Sequence, residues 1–342
     1  MTLHINLTPL RRQLGFAGRA GLWKFLALIF ALLNLKNLPF AWHIRLLKGL
    51  LTHIRSSRLR LASQLGPSAL FQPLITSSRS GFLECDYNLH KSNSTYFSDF
   101  DVGRLELLVS LCGYGIDQTR KDLAKEGNER FATALGGVSC NFRKEIKPYE
   151  GFEVWTRILS WDNKWLYVIS HFVKKGAVRP KAYTLQPWRR SRTSKAGSNG
   201  HAIDGDNGKE GPHPAIFASG IAKYVFKKGR RTIPPERVLR ASRLLPLKPA
   251  EHESPPVSMT PNPETTTADT TAASTDATLT HSDAGEFMAA SLDASFSELN
   301  NWSWEKVEEE RRRGMKVAEI YNRLDALNGE FTGEGDLVLG QY

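Results

Sequence analysis

A run of apolar residues between positions 96 and 111 constrains the fold of this chain more than any other stretch. Its members follow one another at intervals of four, three, four and four residues: Tyr96, Phe100, Gly103, Leu107 and Leu111. This spacing is the period of one helix face and predicts a buried helix that ends near Gly113, with Gly103 allowing close packing. The polar stretch just before the run therefore occupies the loop at the helix amino terminus. Unpaired backbone N–H groups and the helix dipole make such a loop able to hold an anion.

The segments that follow the helix have the composition of β-strands. Residues 138–146 alternate in polarity, 152–161 and 165–173 are rich in aromatic and β-branched side chains, and 215–228 forms one further strand. Short turns join the middle segments, and strands joined in this way pair antiparallel. A single long helix before such strands buries its apolar face on the sheet. The sequence therefore predicts an α+β fold in which an antiparallel β-sheet wraps around a long central α-helix.

The polar loop contains a motif of four residues: Asp86, His90, Asn93 and Tyr96. Three residues separate the Asp from the His, two separate the His from the Asn, and two separate the Asn from the Tyr. At these positions the chain resembles the hotdog-fold acyl-CoA thioesterases. The nearer resemblance is to the membrane-associated thioesterase-like group that includes thioesterase superfamily member six and fungal biosynthetic-cluster relatives, both at residues 86–90 and at 223–235. The resemblance covers about residues 72–247. It departs from the family pattern at Leu89, where Gly is common, and at Ser92, where Asn is common.

The resemblance implies an enzyme that hydrolyses acyl-CoA or carrier-bound acyl thioesters as a homodimer, without a metal or redox cofactor. Asp86 would attack the thioester carbonyl or activate a water molecule, and His90 would orient the carboxylate or the water. Backbone N–H groups near Asn93 and Ser94 are candidate oxyanion donors because they lie at the helix start. Two further residues would shape the loop: Asn88 and Tyr96.

Several alternatives to this mechanism stay open. From the residues alone, Asp86 is a cap of the following turn and Asn93 an ordinary helix cap. Cys85 with His90 as its base is a rival nucleophile. Three carboxylates of the helix are further candidates but are interpreted as surface charges: Asp99, Asp101 and Glu106. The alternative function is a non-catalytic acyl-binding or scaffold protein that keeps the fold, and an isomerase or dehydratase on the same fold is a third.

Cations near strand ends are candidates for binding the coenzyme A phosphates: Arg143, Lys144, Lys174, Lys175, Lys227, Lys228, Arg230 and Arg231. Surface lysines on strands also serve solubility alone, so none of these is decisive. The basic run at 189–192 is interpreted as a solvated loop and not as a nucleic-acid contact, since only Trp188 interleaves its charges. Three widely spaced cysteines indicate neither a disulfide framework nor a zinc site, which suits a reducing, cytosol-facing domain.

All of the chain's excess positive charge lies at its amino terminus. Eleven Lys and Arg and no Asp or Glu precede Glu84, and the whole chain has a net charge of +11. The apolar run from Leu22 to Leu33 would form about 18 Å of helix, against about 30 Å of bilayer hydrocarbon. The alternatives are an interfacial amphipathic anchor, a tilted span from Trp23 to Trp42, a cleaved mitochondrial presequence and a buried core helix. The charge favours an anionic membrane surface, and the expected location is the endoplasmic reticulum or the mitochondrion.

The chain is therefore predicted to divide into four parts: a basic membrane-associating helical segment at 1–60, the hotdog domain at 72–247 with a mobile insertion at 176–214, a disordered linker at 251–285 and a carboxyl-terminal helix at 301–328. Ser303 is the expected cap of that last helix. Its apolar stripe is thin and consists of four residues: Val307, Val317, Tyr321 and Leu324. Docking on the domain, docking on a partner and full solvation all stay open for it.

Overall fold

The computed structural model describes five ranges of the chain: residues 18–55, 66–180, 183–186, 213–248 and 302–330. Most of the insertion predicted to be mobile, and the whole linker at 251–285, lie outside the described residues. The helices are α1 (Gly18–Leu33), α2 (Ala41–Arg55), α3 (Asn93–Ala124), α4 (Pro235–Ala241) and α5 (Trp304–Asn322). The strands are β1 (Leu74–Arg79), β2 (Phe131–Phe142), β3 (Gly151–Trp161), β4 (Leu166–Lys174), β5 (Ile216–Lys228) and β6 (Arg231–Ile233).

These six strands form one antiparallel sheet that encloses α3. The strand order is β1-β3-β4-β5-β2, and β6 pairs with β5. Helix α3 packs on β1, β3, β4 and β2. Aromatic side chains fill the space between helix and sheet: the Phe172 ring centroid lies 4.9 Å from that of Phe100 and 5.0 Å from that of Phe152. The predicted α+β hotdog arrangement is confirmed.

Helix α3 is longer than its apolar run predicts, since it ends at Ala124 and not near Gly113. Its last turns carry Asp117 and Arg120, which form an ion pair on the surface, whereas Leu123 is fully buried. The last turns of α3 expose polar residues to water, so apolar residues recur there less regularly than in the first turns. The apolar spacing therefore predicts a shorter helix than the structure contains.

Strand β1 is absent from the sequence prediction. Only its first two residues, Leu74 and Ile75, are large and apolar, and among the described strands it pairs with β3 alone. Helix α3 crosses close to this edge because Gly103 has no side chain. A Cβ at that position would lie 2.9 Å from Thr156 Oγ1 and 3.6 Å from Thr76 Oγ1. The close packing expected at Gly103 is therefore present.

Helix α5 docks on the face of the sheet opposite to α3. It begins after Ser303, the predicted cap, whose Oγ accepts a backbone N–H at 3.4 Å. Gly314 lies so close to β3 that a Cβ there would be 2.0 Å from the Leu159 backbone oxygen. Just beyond the helix, Asp325 forms a 2.7 Å ion pair with Lys223 of β5. Of the four residues in the predicted apolar stripe, Val307 and Tyr321 are buried, whereas Val317 and Leu324 are exposed.

The two amino-terminal helices present apolar surface to solvent. Helix α1 is exposed along almost all of its described length, for example at Trp23, Phe25 and Leu32. Helix α2 packs on α3, where a Cβ on Gly49 would lie 3.2 Å from Cγ of Glu106. Among the described helices, none is at once long enough and apolar enough to cross a membrane.

Candidate active site

The loop that carries Asp86 is a tight hairpin. Its ends meet in an isolated antiparallel bridge between Cys85 and Lys91. Inside it, the Asp86 N–H donates to the His90 backbone oxygen at 2.9 Å, and the Leu89 N–H donates to the Asp86 backbone oxygen at 3.0 Å. The residues between the bridge partners are thus held at both ends, directly before the first turn of α3.

The Asp86 carboxylate both stabilises the hairpin and faces solvent. Its Oδ1 accepts the backbone N–H of Asn88 at 2.9 Å, the turn geometry that aspartate often adopts in loops. The side chain remains 32% exposed. Because a carboxylate has about four lone-pair sites, the turn contact leaves capacity for a water molecule or a substrate. The capping role and a chemical role are therefore compatible, and Asn88 shapes the loop through its backbone.

His90 lies between two carboxylates. Its Nδ1 is 3.8 Å from Asp86 Oδ1 and its Nε2 is 3.4 Å from Glu145 Oε2, with 28% of the side chain exposed. Both distances exceed the usual hydrogen-bond range of about 2.7–3.2 Å, so the ring is adjacent to Asp86 without being locked to it. Glu145, which follows β2, was not among the residues that the sequence suggested.

Helix α3 begins at Asn93, and its cap position is Ser92, so the interpretation of Asn93 as the helix cap is wrong. The Ser92 N–H donates to the Glu84 backbone oxygen at 2.7 Å, which holds the first turn against the base of the hairpin. Asn93 and Ser94 are exposed. Since the first amides of an α-helix lack intrahelical acceptors, the N–H groups near these residues suit an anion beside the loop.

Tyr96, the last residue of the loop motif, belongs to the core. Its ring is buried, with ring centroids 4.7 Å from Phe172 and 5.0 Å from Phe142. Burial raises the pKa of its phenol above the ordinary value. Lys91 Nζ lies 5.4 Å from the ring centroid, so Tyr96 supports the base of the hairpin from the interior.

Leu89 holds a strained backbone position in the hairpin. Its φ is +59°, in the left-handed region. This region costs a residue that has a Cβ about 1–2 kcal/mol. The side chain is 58% exposed, so its removal sacrifices little buried area. Leu89 thus adopts a conformation that suits glycine, at an energetic cost.

Replacing Leu89 by Gly is expected to leave stability unchanged or to raise it by up to about 1 kcal/mol, because the relief of strain offsets the greater unfolded-state entropy of Gly. Chemical unfolding of the purified variants measures the change. Leu83→Gly, at an exposed Leu that has no positive φ, is the control and should lose roughly 0.5–1 kcal/mol. Equal losses in both variants would show that the hairpin is not strained.

A group of buried and partly buried charges, which we call the charge cluster, lies behind the hairpin. It consists of three cations and two carboxylates: Lys36, Arg45, Lys91, Glu84 and Asp99. Lys36 Nζ is 2.8 Å from both Glu84 Oε1 and Asp99 Oδ2. Lys91 Nζ is 3.0 Å from Glu84 Oε2 and from Asp99 Oδ2, and Arg45 lies 2.8 Å from Asp99 Oδ1. Asp99 is 1% exposed, so its interpretation as a surface charge is wrong.

Ionisation within the charge cluster follows from these contacts. Burial opposes the charge of Asp99, but the three neighbouring cations outweigh burial and lower its pKa below the ordinary 3.8. Burial also lowers the pKa of Lys36 below its ordinary value; Lys91 adds to that effect and the two carboxylates oppose it. The cluster therefore keeps Asp99 ionised at neutral pH.

The other two helix carboxylates have different surroundings. Asp101 is about one-third exposed and forms a 2.5 Å ion pair with buried Arg104. Glu106 is partly covered by α2; burial raises its pKa, and Arg45 and Lys48 oppose the rise. The ionic partners of both residues lie away from Asp86 and His90: Arg104 for Asp101, and Arg45 and Lys48 for Glu106.

The candidate phosphate-binding cations lie at two ends of the sheet. Arg143 and Lys144 are exposed directly after β2, on the side of the hairpin. Lys227 and Lys228 lie beside the first residues of β2, at the other end of the same strand pair. The prediction of Lys228 as a phosphate ligand is wrong, because its side chain is buried and its Nζ donates to the Leu123 backbone oxygen at 2.6 Å.

Cys85 has no basic partner in the described part of the chain. Its sulfur donates to the Gly81 backbone oxygen at 3.5 Å and lies 3.9 Å from Ser80 Oγ. Because nucleophilic catalysis by a thiol needs an adjacent base or cation, these contacts do not support the Cys85 mechanism. Across the described ranges, no group of three or more His, Cys, Asp or Glu side chains is placed to hold a metal ion.

Comparison with known proteins agrees with this loop and fold. The chain belongs to the thioesterase-like superfamily, whose family model matches residues 80–196. Probable thioesterase atnL of Emericella nidulans is 34% identical over 331 residues, which is 92% of this chain and 89% of that protein. Thioesterase poxG of Penicillium oxalicum is 33% identical over 316 residues, or 90% and 86%. Protein THEM6 of Xenopus laevis is 28% identical over 90 residues, or 26% and 39%. The family expected from the loop motif is confirmed.

Proposed function

We propose that this protein hydrolyses acyl thioesters, carried by coenzyme A or by a carrier protein, and that Asp86 supplies the base or the nucleophile. The observation that carries the proposal is the Asp86 carboxylate, partly exposed in a hairpin at the start of the central helix. The superfamily of the chain and its fungal relatives named as thioesterases support it.

The geometry suits both forms of carboxylate chemistry. An ionised Asp86 takes a proton from a water molecule whose oxygen attacks the thioester carbonyl, or attacks that carbon itself and forms an anhydride that water then hydrolyses. N–H groups near Asn93 and Ser94 bind the oxyanion. In both routes the resulting tetrahedral intermediate collapses with cleavage of the C–S bond, and the thiolate leaves and takes up a proton. In the nucleophilic route this cleavage produces the anhydride, and its hydrolysis by water then regenerates the Asp86 carboxylate and releases the fatty acid. His90, 3.8 Å from the carboxylate, orients the carboxylate or the water.

The experiment is a thioesterase assay of the full-length protein. Acyl-CoA esters from acetyl to stearoyl, and acylated carrier protein, are tested by release of free thiol. Hydrolysis of at least one thioester, lost on replacement of Asp86 by Asn, is the expected result. Binding of thioesters without turnover would instead support the non-catalytic acyl-binding protein.

A homodimer through β2 is part of the proposal. Among the described strands β2 pairs on one side only, with β5, and it is largely exposed, including Leu135 and Phe142. A long unpaired edge favours pairing with another strand. Antiparallel pairing of two β2 edges would place the start of one β2 beside the end of the other. Lys227 lies beside the start of β2, and the Asp86 hairpin contacts Glu145 just after the end of β2. Such pairing would therefore bring the partner's Lys227 toward the hairpin. Sedimentation velocity measures the assembly.

We place the domain at a membrane surface, facing the cytosol, with the endoplasmic reticulum as the proposed location. Helix α1 exposes large apolar side chains, among them Trp23 at 72%, and no Asp or Glu precedes Glu84. Two polar residues of the same segment, Asn34 and Lys36, face the domain and need not enter lipid. Asn34 Oδ1 accepts the Leu83 N–H at 3.0 Å. Apolar surface next to excess positive charge suits an anionic bilayer.

The double variant Trp23→Glu/Leu28→Glu is expected to bind phosphatidylserine-containing vesicles at least about tenfold more weakly, because charged side chains in the apolar layer cost about 2.5–3.5 kcal/mol each at full depth. Vesicle flotation of the full-length protein measures binding. Leu247→Glu, at an exposed apolar residue of the domain, is the control. Equal flotation of the double variant and the wild type would refute the anchor. Deleting residues 1–60 is a poorer test, because it also removes Lys36 and Arg45 from the charge cluster.

A further inference from the structure

The base of the Asp86 hairpin is held by a side chain from the amino-terminal segment. Glu84 precedes the hairpin and Lys91 closes it. Lys36 Nζ lies 2.8 Å from the Glu84 carboxylate and donates to the Arg79 backbone oxygen at 3.3 Å. We propose that Lys36 is a positioning residue for this hairpin, an inference that deepens the proposed role of Asp86 and rests on it.

Short contacts connect Lys36, through the Glu84 carboxylate, to both ends of the hairpin. The Glu84 carboxylate lies 2.8 Å from Lys36 Nζ and 3.0 Å from Lys91 Nζ. The backbone of Glu84 accepts the Ser92 N–H at 2.7 Å, and Lys91 bridges to the residue after Glu84. A shift of Glu84 or Lys91 therefore moves the two ends of the hairpin, and Asp86 lies between them.

Two neighbours of Lys36 contact the chain just before the hairpin. Asn34 Oδ1 accepts the Leu83 N–H at 3.0 Å. Asn37 packs so closely on Gly81 that a Cβ on the glycine would lie 2.7 Å from Asn37 Nδ2. Residues 34–37 thus mark where the amino-terminal segment crosses the hairpin base, and Lys36 is the charged residue among them.

The charge count makes Lys36 a clean probe of positioning. Replacing Lys36 by Met leaves two cations against two carboxylates in the charge cluster, so no buried carboxylate loses its last partner. Met keeps an unbranched apolar stem beside Phe152, whose ring centroid is 5.2 Å from Lys36 Nζ. The variant is expected to fold and to lose the tie between the amino-terminal segment and the hairpin.

Steady-state kinetics of the full-length protein test the role. Lys36→Met should lower kcat by about tenfold and change KM by no more than about twofold. The expected loss in kcat is smaller than the roughly 100-fold that a misplacement of one ångström can cost. Lys36→Arg keeps the charge and should restore at least about half of kcat. Lys125→Met, at an exposed lysine beyond the other end of α3, is the control and should match the wild type. If Lys36→Met does not fold, Lys36→Gln, which keeps a donor, replaces it in the comparison.

Amide hydrogen exchange gives a readout that does not depend on turnover. The Asp86 and Leu89 amides, which are bonded within the hairpin, should exchange about tenfold faster in Lys36→Met, while core amides of α3 keep their rates. Unchanged exchange in the hairpin, or faster exchange with wild-type kcat, would overturn the positioning role alone. A wild-type protein inactive toward every thioester would overturn the proposed function and this role with it.

Discussion

Replacing Asp86 by Asn is expected to lower kcat for thioester hydrolysis by at least about 100-fold, a rise of about 2.7 kcal/mol in the activation barrier. The substitution keeps the size of the side chain and the Oδ1 acceptor that holds the Asn88 N–H at 2.9 Å. It removes the charge that a base or nucleophile requires. Thiol release from the best substrate of the panel measures the effect, and the melting temperature should change little because the hairpin bonds persist.

Three further variants separate chemistry from structure at the hairpin. His90→Ala should cost less than Asp86→Asn, because orientation across a 3.8 Å contact is a secondary contribution. Cys85→Ala should leave activity within severalfold, since no bond-making step is assigned to the sulfur. Asp122→Asn changes an exposed carboxylate of α3 and should match the wild type. A folded and fully active Asp86→Asn protein would eliminate the carboxylate mechanism.

The central helix and the loop motif could be predicted because their signals are local. Tyr96, Phe100 and the later apolar residues share one helix face, and the motif residues lie within eleven positions of one another. Element ends were harder to predict. Strand β2 occupies Phe131–Phe142 and not 138–146, because its first half contains small Ala and Gly residues that carry little strand propensity.

The charge cluster could be predicted only in part. Asp99 follows Tyr96 by three residues and precedes Phe100, a spacing that fits the buried face of the helix, although from sequence it is interpreted as a surface charge because a carboxylate favours water. Its partners were not visible from spacing, since Lys36 and Arg45 lie 63 and 54 residues away in sequence. Pairing over such separations is set by how the amino-terminal segment, with Lys36 before α2 and Arg45 within it, packs on α3, which no local pattern encodes. The contact of His90 with Glu145 escaped prediction for the same reason.

Replacing Asp99 by Asn is expected to destabilise the fold by about 3–5 kcal/mol, the usual cost of removing one partner from a buried ion pair. Asp99 is 1% exposed and lies within 3.0 Å of three cationic groups. Without its charge, Lys36 and Lys91 share the Glu84 carboxylate, and Arg45 keeps its attraction to Glu106, so positive charge is left in excess at a site poorly solvated by water. Chemical unfolding of the full-length variant at neutral pH measures the loss.

A matched variant and the pH dependence test whether the charge of Asp99 is the cause. Asp117→Asn makes the same change on an exposed turn of α3, where the pairs with Arg120 and Lys121 are surface contacts worth about 1 kcal/mol or less. Because the cations lower the pKa of Asp99 below its ordinary 3.8, its stabilising charge is present above that value and is lost as pH falls through the lower folded-state pKa. The stability difference between wild type and Asp99→Asn should therefore be largest near neutral pH and shrink below about pH 4. A difference that stays constant down to the acid limit of folding would show that packing, and not charge, holds Asp99 in place.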